Sequence, residues 1–239
     1  MLNTLCIDTS GGHCSVAVAV GEQIFQHNEM LERRHNEALL PILDQLLEQA
    51  NLQAREIELI GFTAGPGSFT GIRLAAAVCQ SLAFVANAEV VPLRTEEILF
   101  WAVHKQVTDA DRIFCSVRSR GSLYYVCEYN QSGQIRPMTL MDEAPSWLEA
   151  PSWLEAPDWL ENENENQNDE RDCWLVGESP VWWPASMGIR KHVSAPPQAA
   201  EMIALTRRCQ QQGRAVSAEA ALPFYLEGDS PWKKQGEKN

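Results

Sequence analysis

The sequence has few basic residues for its length. Its 239 residues include 19 lysines and arginines against 32 aspartates and glutamates, a formal net charge of −13. A protein that follows nucleic acid with its own surface usually carries the opposite sign. Residues 142–172 hold eleven of the acids and a single base, so most of the net charge belongs to that segment. The composition therefore disfavours a stand-alone nucleic-acid-binding protein.

Long apolar runs and paired cysteine motifs are also missing. The most apolar stretch, residues 74–88, is interrupted by polar residues and is shorter than the ~20 residues of a membrane helix. The N-terminus carries Asp8 where a signal peptide has its apolar centre. The seven cysteines are odd in number and form no Cys-x-x-Cys pair. We expect no membrane segment, reduced thiols and a cytoplasmic location.

The common motifs for metal binding and nucleophilic catalysis are absent. The five histidines (His13, His27, His35, His104 and His192) form no His-x-x-x-His pair, and there is no Gly-x-Ser-x-Gly elbow. None of the cysteines has a basic neighbourhood that would activate its thiol. We therefore assign no catalytic residue and no metal ligand to this chain.

The chain alternates apolar runs with turn signals, as an α/β protein does. We predict strands at residues 4–7, 15–20, 23–30, 59–63 and 89–93, and helices at about 36–50, about 70–86 and from Thr95. A second series has strands at 112–117, 122–129, 134–141 and 173–176 and a helix at 198–212. This tandem pattern predicts a duplicated α/β fold, with one domain at residues 1–105 and a second at 106–239.

An internal repeat interrupts the second domain at about 142–172. Glu143–Leu148, Glu149–Leu154 and Glu155–Leu160 are copies of Glu-Ala-Pro-(Ser/Asp)-Trp-Leu. A proline every six residues prevents a long helix. The repeat is either an expanded low-complexity loop, which composition favours, or an acidic binding arm that carries tryptophans.

A glycine-rich loop follows the strand at 59–63 and opens the next helix. The loop reads Gly65, Pro66, Gly67, Ser68, Phe69, Thr70 and Gly71. A helix N-terminus after glycines suits a phosphate, but Ile72 and Arg73 stand where a Walker loop has Lys-Ser/Thr. We favour a structural turn in which Ser68 or Thr70 caps the helix.

Small residues follow the loop at a spacing of four. They are Gly71, Ala75, Cys79 and Ala83, with Ala76 beside them. Small side chains allow another backbone to come close, so this helix packs across a subunit interface, against the protein's own sheet, or in both ways.

Two polar groups near the loop each allow two interpretations. Asp8 ends the first strand beside Thr9 and Ser10, where a carboxylate either orients a metal-bound phosphate or completes a turn. His35 follows Arg33 and Arg34, and this trio either contacts an anionic partner or is a solvated turn.

Several segments together resemble the TsaB (YeaZ) family. They are Leu5-Cys6-Ile7-Asp8-Thr9-Ser10, Cys14-Ser15-Val16-Ala17, Arg34-His35, Leu40-Pro41, the glycine loop with Arg73, Pro223-Phe224-Tyr225-Leu226 and Trp232-Lys233-Lys234. The first 105 residues carry most of the resemblance, and the last 20 or so carry the rest. The Ile-Asp-Thr-Ser start joined to the glycine loop is the most specific part.

The resemblance implies a duplicated actin-like/RNase H-like fold and a role in threonylcarbamoyladenosine synthesis, next to the anticodon of tRNAs reading ANN codons. It implies a non-catalytic scaffold that forms a heterodimer with a catalytic paralogue, TsaD, is joined by a small ATPase, TsaE, and also self-associates as a homodimer. Metal and ATP are then expected on the partner subunits, with no cofactor on this chain and tRNA reached through the complex.

The family resemblance places the partner interface on the first-domain helices. The candidate residues are Gly71, Arg73, Ala75, Ala76, Cys79, Ala83 and His35. We expect arginine at Ala75 or Cys79 to abolish partner binding and to leave the monomer folded.

The sequence departs from the family pattern at several points. Val117-Arg118-Ser119-Arg120 stands where Asp-Ala-Arg is usual, Glu227 replaces a usual arginine, and the acidic repeat has no counterpart. Two alternatives remain: a stand-alone actin-like enzyme (a small-molecule kinase or an M22-like metallopeptidase) and a homodimeric interaction module that uses the repeat as an arm.

Overall fold

The computed structural model describes residues 1–31, 34–108, 111–145, 173–184, 189–194 and 196–226. The chain divides into two compact units. The first comprises the described residues of Met1–Ala102 and Pro196–Asn239, and the second comprises those of Val103–Ala195. Almost all of the acidic repeat lies outside the described residues, as do Arg33, Glu227 and the Trp232-Lys233-Lys234 segment.

The first unit contains a five-stranded sheet with the order β3-β2-β1-β4-β5. The strands are β1 (Thr4–Asp8), β2 (His13–Val20), β3 (Gln23–Met30), β4 (Leu59–Gly65) and β5 (Glu89–Arg94). Strand β1 pairs antiparallel with β2 and parallel with β4. Every residue of β1 and β4 is buried, because central strands of such a sheet are covered on both faces.

Four helices belong mainly to this unit. They are α1 (His35–Gln49), α2 (Phe69–Ala86), α3 (Thr95–Val103) and α4 (Ala199–Gln211). Helices α1 and α2 share one core cluster with Leu5 and Ile7 of β1. Helix α4 belongs to a second core cluster, which contains Cys6 of β1. The two clusters lie on opposite faces of the sheet because successive strand residues point to opposite sides.

The position of α4 corrects the predicted domain boundary. We assigned all of residues 106–239 to the second domain, but α4 belongs to the first unit. Its apolar side, with Met202 and Ile203, covers Cys6 and Leu59 of the sheet. The Ser15 hydroxyl oxygen in β2 accepts a hydrogen bond of 2.9 Å from the first backbone N–H of α4. The chain therefore returns to its first unit after completing the second.

The second unit repeats the same sheet. Its strands are β6 (Arg112–Arg120), β7 (Leu123–Asn130), β8 (Gly133–Met141), β9 (Cys173–Gly177) and β10 (Ile189–Val193). They lie in the order β10-β9-β6-β7-β8. As in the first unit, the three-strand meander is antiparallel and the other two pairings are parallel. The predicted duplication is confirmed. All seven cysteines are buried and free.

Candidate functional site

The glycine loop, residues 65–71, packs directly against the turn that follows β1. A Cβ atom at Gly67 would lie 2.7 Å from the carbonyl oxygen of Ser10. A Cβ atom at Gly71 would overlap the carbonyl oxygen of Thr9. These two positions therefore need glycine because two backbone segments touch there.

The opposite side of the loop contacts α3 and the C-terminal segment. The Gly65–Pro66 peptide bond is cis, and Gly65 has a φ of 120°. A Cβ atom at Gly65 would lie 2.7 Å from the carbonyl oxygen of Phe224. The hydroxyl of Thr95, the first residue of α3, donates to the carbonyl oxygen of Pro66 across 2.6 Å. Three separate parts of the first unit thus hold the loop in place.

Hydrogen bonds within the loop favour the structural interpretation over a phosphate cradle. The Ser68 N–H donates to the carbonyl oxygen of Ser10 across 2.6 Å. The Ser68 hydroxyl oxygen accepts from the Gly71 N–H across 3.3 Å and so caps α2. The Thr9 hydroxyl donates to the carbonyl oxygen of Gly71 across 2.8 Å. Ser68 is therefore the cap of α2. The N–H groups of Ser68 and Gly71, which could otherwise have bound an anion, donate to oxygen atoms of the chain itself.

Asp8 lies buried below this turn. Its Oδ1 atom accepts hydrogen bonds from the Ser10 hydroxyl at 2.6 Å and the Ser10 N–H at 3.2 Å. Its Oδ2 atom has no hydrogen-bond partner in the described part of the chain. Burial raises the pKa of Asp8, while the hydrogen bonds from Ser10 and the nearby Thr63 and His35 side chains act in the opposite direction. One carboxylate oxygen remains open to a proton or a cation.

Within the described ranges, no three His, Cys, Asp or Glu side chains come close enough to hold a metal ion. Asp8 alone supplies one ligand, fewer than the three or four protein ligands of a Zn²⁺ site, whereas a Mg²⁺ ion held mainly by phosphate and water uses only one or two carboxylates. The turn-forming role of Asp8 therefore rests on its contacts with Ser10, and its role toward a metal-bound phosphate stays a hypothesis.

His35 is the first residue of α1 and is largely buried, which changes the role predicted for it. Its Nε2 atom lies 3.1 Å from the carbonyl oxygen of His13, a distance at which the ring donates a hydrogen bond. Arg34, by contrast, is exposed. Within the first unit His35 therefore ties α1 to the start of β2 and offers little surface for a partner.

The predicted interface residues on α2 are mostly core residues. Gly71, Ala75, Ala76, Cys79 and Ala83 are all buried. Ala75 and Cys79 have no exposed surface and pack against the sheet. This corrects the predicted interface, because a side chain in the core of its own unit does not contact a partner. An arginine at Ala75 or Cys79 would place a charge in that core and unfold the protein.

The opposite side of α2 carries an exposed row at the same spacing. We call Arg73, Ala77, Ser81, Phe84 and Val85 the outer stripe of α2. Phe84 is 77% exposed and Val85 is 69% exposed. Ala77 and Ser81, which lie between Arg73 and these two residues, are also exposed and have small side chains. Of the predicted interface residues, Arg73 alone belongs to this stripe.

Arg73 joins the outer stripe to the C-terminal segment. Its Nε atom donates to the Tyr225 hydroxyl across 2.7 Å, and its guanidinium carbon lies 3.5 Å from the ring centroid of Phe69. The next aromatic residue, Phe224, lies under the guanidinium of Arg94 at 4.0 Å. These contacts were not predicted from the sequence, in which the one signal for them is the family-like Pro223–Leu226 segment.

Among the helices in the described residues, α2 is the one long and apolar enough to cross a membrane by length and composition. A core helix passes the same test, and α2 buries its inner side against the sheet. The expected absence of a membrane segment stays a prediction.

Comparison with known proteins gives consistent relatives over the whole chain. The model of the family described as "TsaD: tRNA N6-adenosine threonylcarbamoyltransferase" matches residues 20–145. The tRNA threonylcarbamoyladenosine biosynthesis protein TsaB of Haemophilus influenzae is 29% identical over 237 residues, which cover 98% of this chain and 97% of the relative. The protein of the same name from Escherichia coli is 25% identical and covers 98% of both chains.

Solved structures of similar proteins share the fold. YeaZ from Pseudomonas aeruginosa has a TM-score of 0.73 and 27% identity, and the match covers 95% of this chain and all of the other. A second structure, of a protein described as similar to peptidase YeaZ from the same organism, has a TM-score of 0.75 and 26% identity with the same coverage. The duplicated actin-like α/β fold is therefore confirmed.

Proposed function

The chain belongs to the TsaB (YeaZ) branch of the TsaD family, and we propose from this premise that it is a non-catalytic subunit in threonylcarbamoyladenosine synthesis. In this proposal it docks on a TsaD-type paralogue that transfers the threonylcarbamoyl group to N6 of the adenosine next to the anticodon, in tRNAs reading ANN codons. A TsaE-type ATPase joins them. Metal and ATP belong to the partners, and tRNA meets this chain through the complex.

The outer stripe of α2 is the observation that carries the docking role. It exposes Phe84 and Val85 to solvent beside the small residues Ala77 and Ser81. Small residues allow a second helix to approach closely, at the short end of the ~8–10 Å between packed helices. Burying a phenylalanine or a valine contributes about 1.5–3 kcal/mol. The same stripe serves self-association when the paralogue is absent.

The glycine loop supports a structural rather than a catalytic role. Its backbone packs against the turn after β1, and its Ser68 and Gly71 N–H groups bond within the chain. The loop therefore acts as a fixed connection that sets the position of α2, and with it the position of the outer stripe.

Reconstitution tests the assigned reaction. The purified chain is mixed with TsaD-type and TsaE-type partners from the same organism, tRNA, ATP and threonylcarbamoyl-adenylate, and modified adenosine is measured by mass spectrometry. We expect modification in the full mixture, little when this chain is omitted, and none from this chain alone. Full modification without it would reject the proposal and return attention to the stand-alone enzyme and the interaction module.

A matched pair of variants tests the docking face. Ala77→Arg places a charged side chain in the middle of the outer stripe, and Ala204→Arg makes the same change at an exposed position of α4. We expect both variants to fold, since both positions face solvent. Ala77→Arg should lose the heterodimer in gel filtration and lose modification, while Ala204→Arg keeps both. Heterodimer formation by Ala77→Arg at the wild-type level would remove α2 from the interface.

A further inference from the structure

A cavity of about 530 Å³ opens at the C-terminal end of α2, where the outer stripe ends. One side is formed by the last turns of α2, including Ala83 and Phe84. The other side is formed by the start of β5 and by residues 215–219. Its volume falls within the ~300–1,000 Å³ of clefts that bind ligands.

The walls of this cavity are held by hydrogen bonds and so exist before any partner binds. Val90 of β5 and Val216 exchange two backbone hydrogen bonds, of 3.0 and 2.8 Å. The Gln210 side chain of α4 donates to Oε2 of Glu89 across 2.9 Å. Asn87 is the C-terminal cap of α2, and its backbone is in the left-handed conformation with a φ of 51°. A partner would therefore meet a formed site and would not have to order it.

The lining is mixed, with somewhat more polar than apolar surface, and its rim is acidic. Ala83, Ala218 and the highly exposed Phe84 provide apolar surface. The charged lining residues among those described are Glu89 and Glu219, both acidic. A backbone N–H and the Ser217 hydroxyl lower the pKa of Glu219, so this carboxylate is ionised at neutral pH. The cavity thus disfavours anions and favours a side chain that has an apolar stem and a positive charge at its end.

We propose that this cavity receives a lysine or arginine side chain, presented by the catalytic paralogue when it docks on the outer stripe. The inference rests on the proposed function and extends it, because it names the chemistry of one contact. Phe84 belongs both to the stripe and to the cavity wall, so an element lying along the stripe reaches the cavity without a break. Glu89 and Glu219 then face the partner's cation at the rim.

Binding measurements on the intact pair test this contact. Titration calorimetry of the full chain with the TsaD-type partner gives the dissociation constant for each variant, and circular dichroism checks that each variant folds. Ala218→Trp fills the cavity, and Ala204→Trp is the same change at an exposed position of α4. Glu219→Lys reverses a rim charge, and Glu22→Lys makes the same reversal at an exposed turn.

We expect Ala218→Trp to weaken binding about tenfold or more, the scale of losing one buried anchor. Glu219→Lys should weaken it several-fold and make the dissociation constant less sensitive to salt. Both control variants should bind like wild type. Because Glu219 is exposed, its variant keeps the test decisive even if Ala218→Trp fails to fold.

The outcomes separate this inference from the proposed function. If Ala77→Arg abolishes binding while Ala218→Trp and Glu219→Lys bind like wild type, the cavity contact is wrong and the docking face stands. If the two cavity variants weaken only self-association, a second copy of this chain fills the cavity, and the assignment to the paralogue is wrong. Absence of any interaction between the wild-type proteins would overturn both.

Discussion

Arg73 and Tyr225 are joined by a hydrogen bond of 2.7 Å across 152 positions of sequence. The bond ties the C-terminal segment to the second turn of α2, beside the outer stripe. The preceding residue, Phe224, is also bonded to the first unit: its N–H donates to the carbonyl oxygen of Ala64, at the end of β4, across 2.7 Å. The surface around the start of α2 is therefore built from two distant parts of the chain.

The contribution of this contact is measurable with Tyr225→Phe, which removes the hydroxyl and keeps the ring. We expect the free energy of unfolding to fall by about 0.5–1 kcal/mol, the usual net contribution of one exposed hydrogen bond. Arg73→Ala should cost more, because it also removes the guanidinium from the face of Phe69. Urea denaturation of both single variants and the double variant gives the coupling energy. Strictly additive effects would show that the two side chains do not interact in solution.

The close packing of the glycine loop predicts different results for two glycine-to-alanine changes. A Cβ at Gly71 would overlap the backbone of Thr9, whereas a Cβ at Gly11 meets nothing within 4 Å. We expect Gly71→Ala to lower the free energy of unfolding by about 1–3 kcal/mol, as overpacking does. Gly11→Ala should change it little. Equal stabilities of the two variants in thermal or urea unfolding would contradict the close approach.

Glu96 should give the protein a measurable pH dependence. Its carboxylate is fully buried in the first turn of α3, and the Arg94 guanidinium lies 3.6 Å away. Burial raises the pKa of Glu96 to about 7, from about 4.5. The folded protein therefore holds this proton more tightly than the unfolded chain does. The stability that Glu96 contributes is fully present below about pH 4.5 and is lost as the pH rises through about 7.

The test compares Glu96→Gln with wild type by urea unfolding between pH 5 and 8. The glutamine variant lacks this titration, so its free energy of unfolding relative to wild type should rise with pH. The total rise should be on the order of 3 kcal/mol above pH 7. Asp8 and Glu201 also have raised pKa values, so the difference between the proteins, not the slope of either, isolates Glu96. Glu22→Gln, at an exposed turn, serves as the control. A constant difference across this range would contradict a buried titrating carboxylate.

Most elements of the fold were predictable because their local signals agree with their tertiary positions. The predicted helices at about 36–50 and 70–86 match α1 and α2 within about a residue at each end. Strand β10 was missed because it reads Ile-Arg-Lys-His-Val and its three central residues are exposed at a sheet edge. Its presence follows from the duplication, since it takes the place in the second sheet that β5 takes in the first.

The candidate site was less predictable, because spacing does not tell which side of a helix faces the sheet. On α2, small residues recur every fourth position both in the inner row with Ala75 and Cys79 and in the outer row with Ala77 and Ser81. Which of the two rows is buried depends on the side of α2 on which β4 and its neighbouring strands lie. In the same way, the pairing of Arg73 with Tyr225 depends on where the chain returns after the second unit.

That return, through α4, governs the order in which the protein is completed during synthesis. Cys6, Ala17 and Leu59 lie on the sheet face that α4 covers, and all three leave the ribosome long before Met202. Domains generally fold as units as the chain emerges. A nascent chain that has just finished Val103–Ala195 has α3 on this apolar face but still lacks the cover that α4 provides. The first unit to emerge is thus the last to be finished, and the surface beside Tyr225 exists only on a chain translated past that residue.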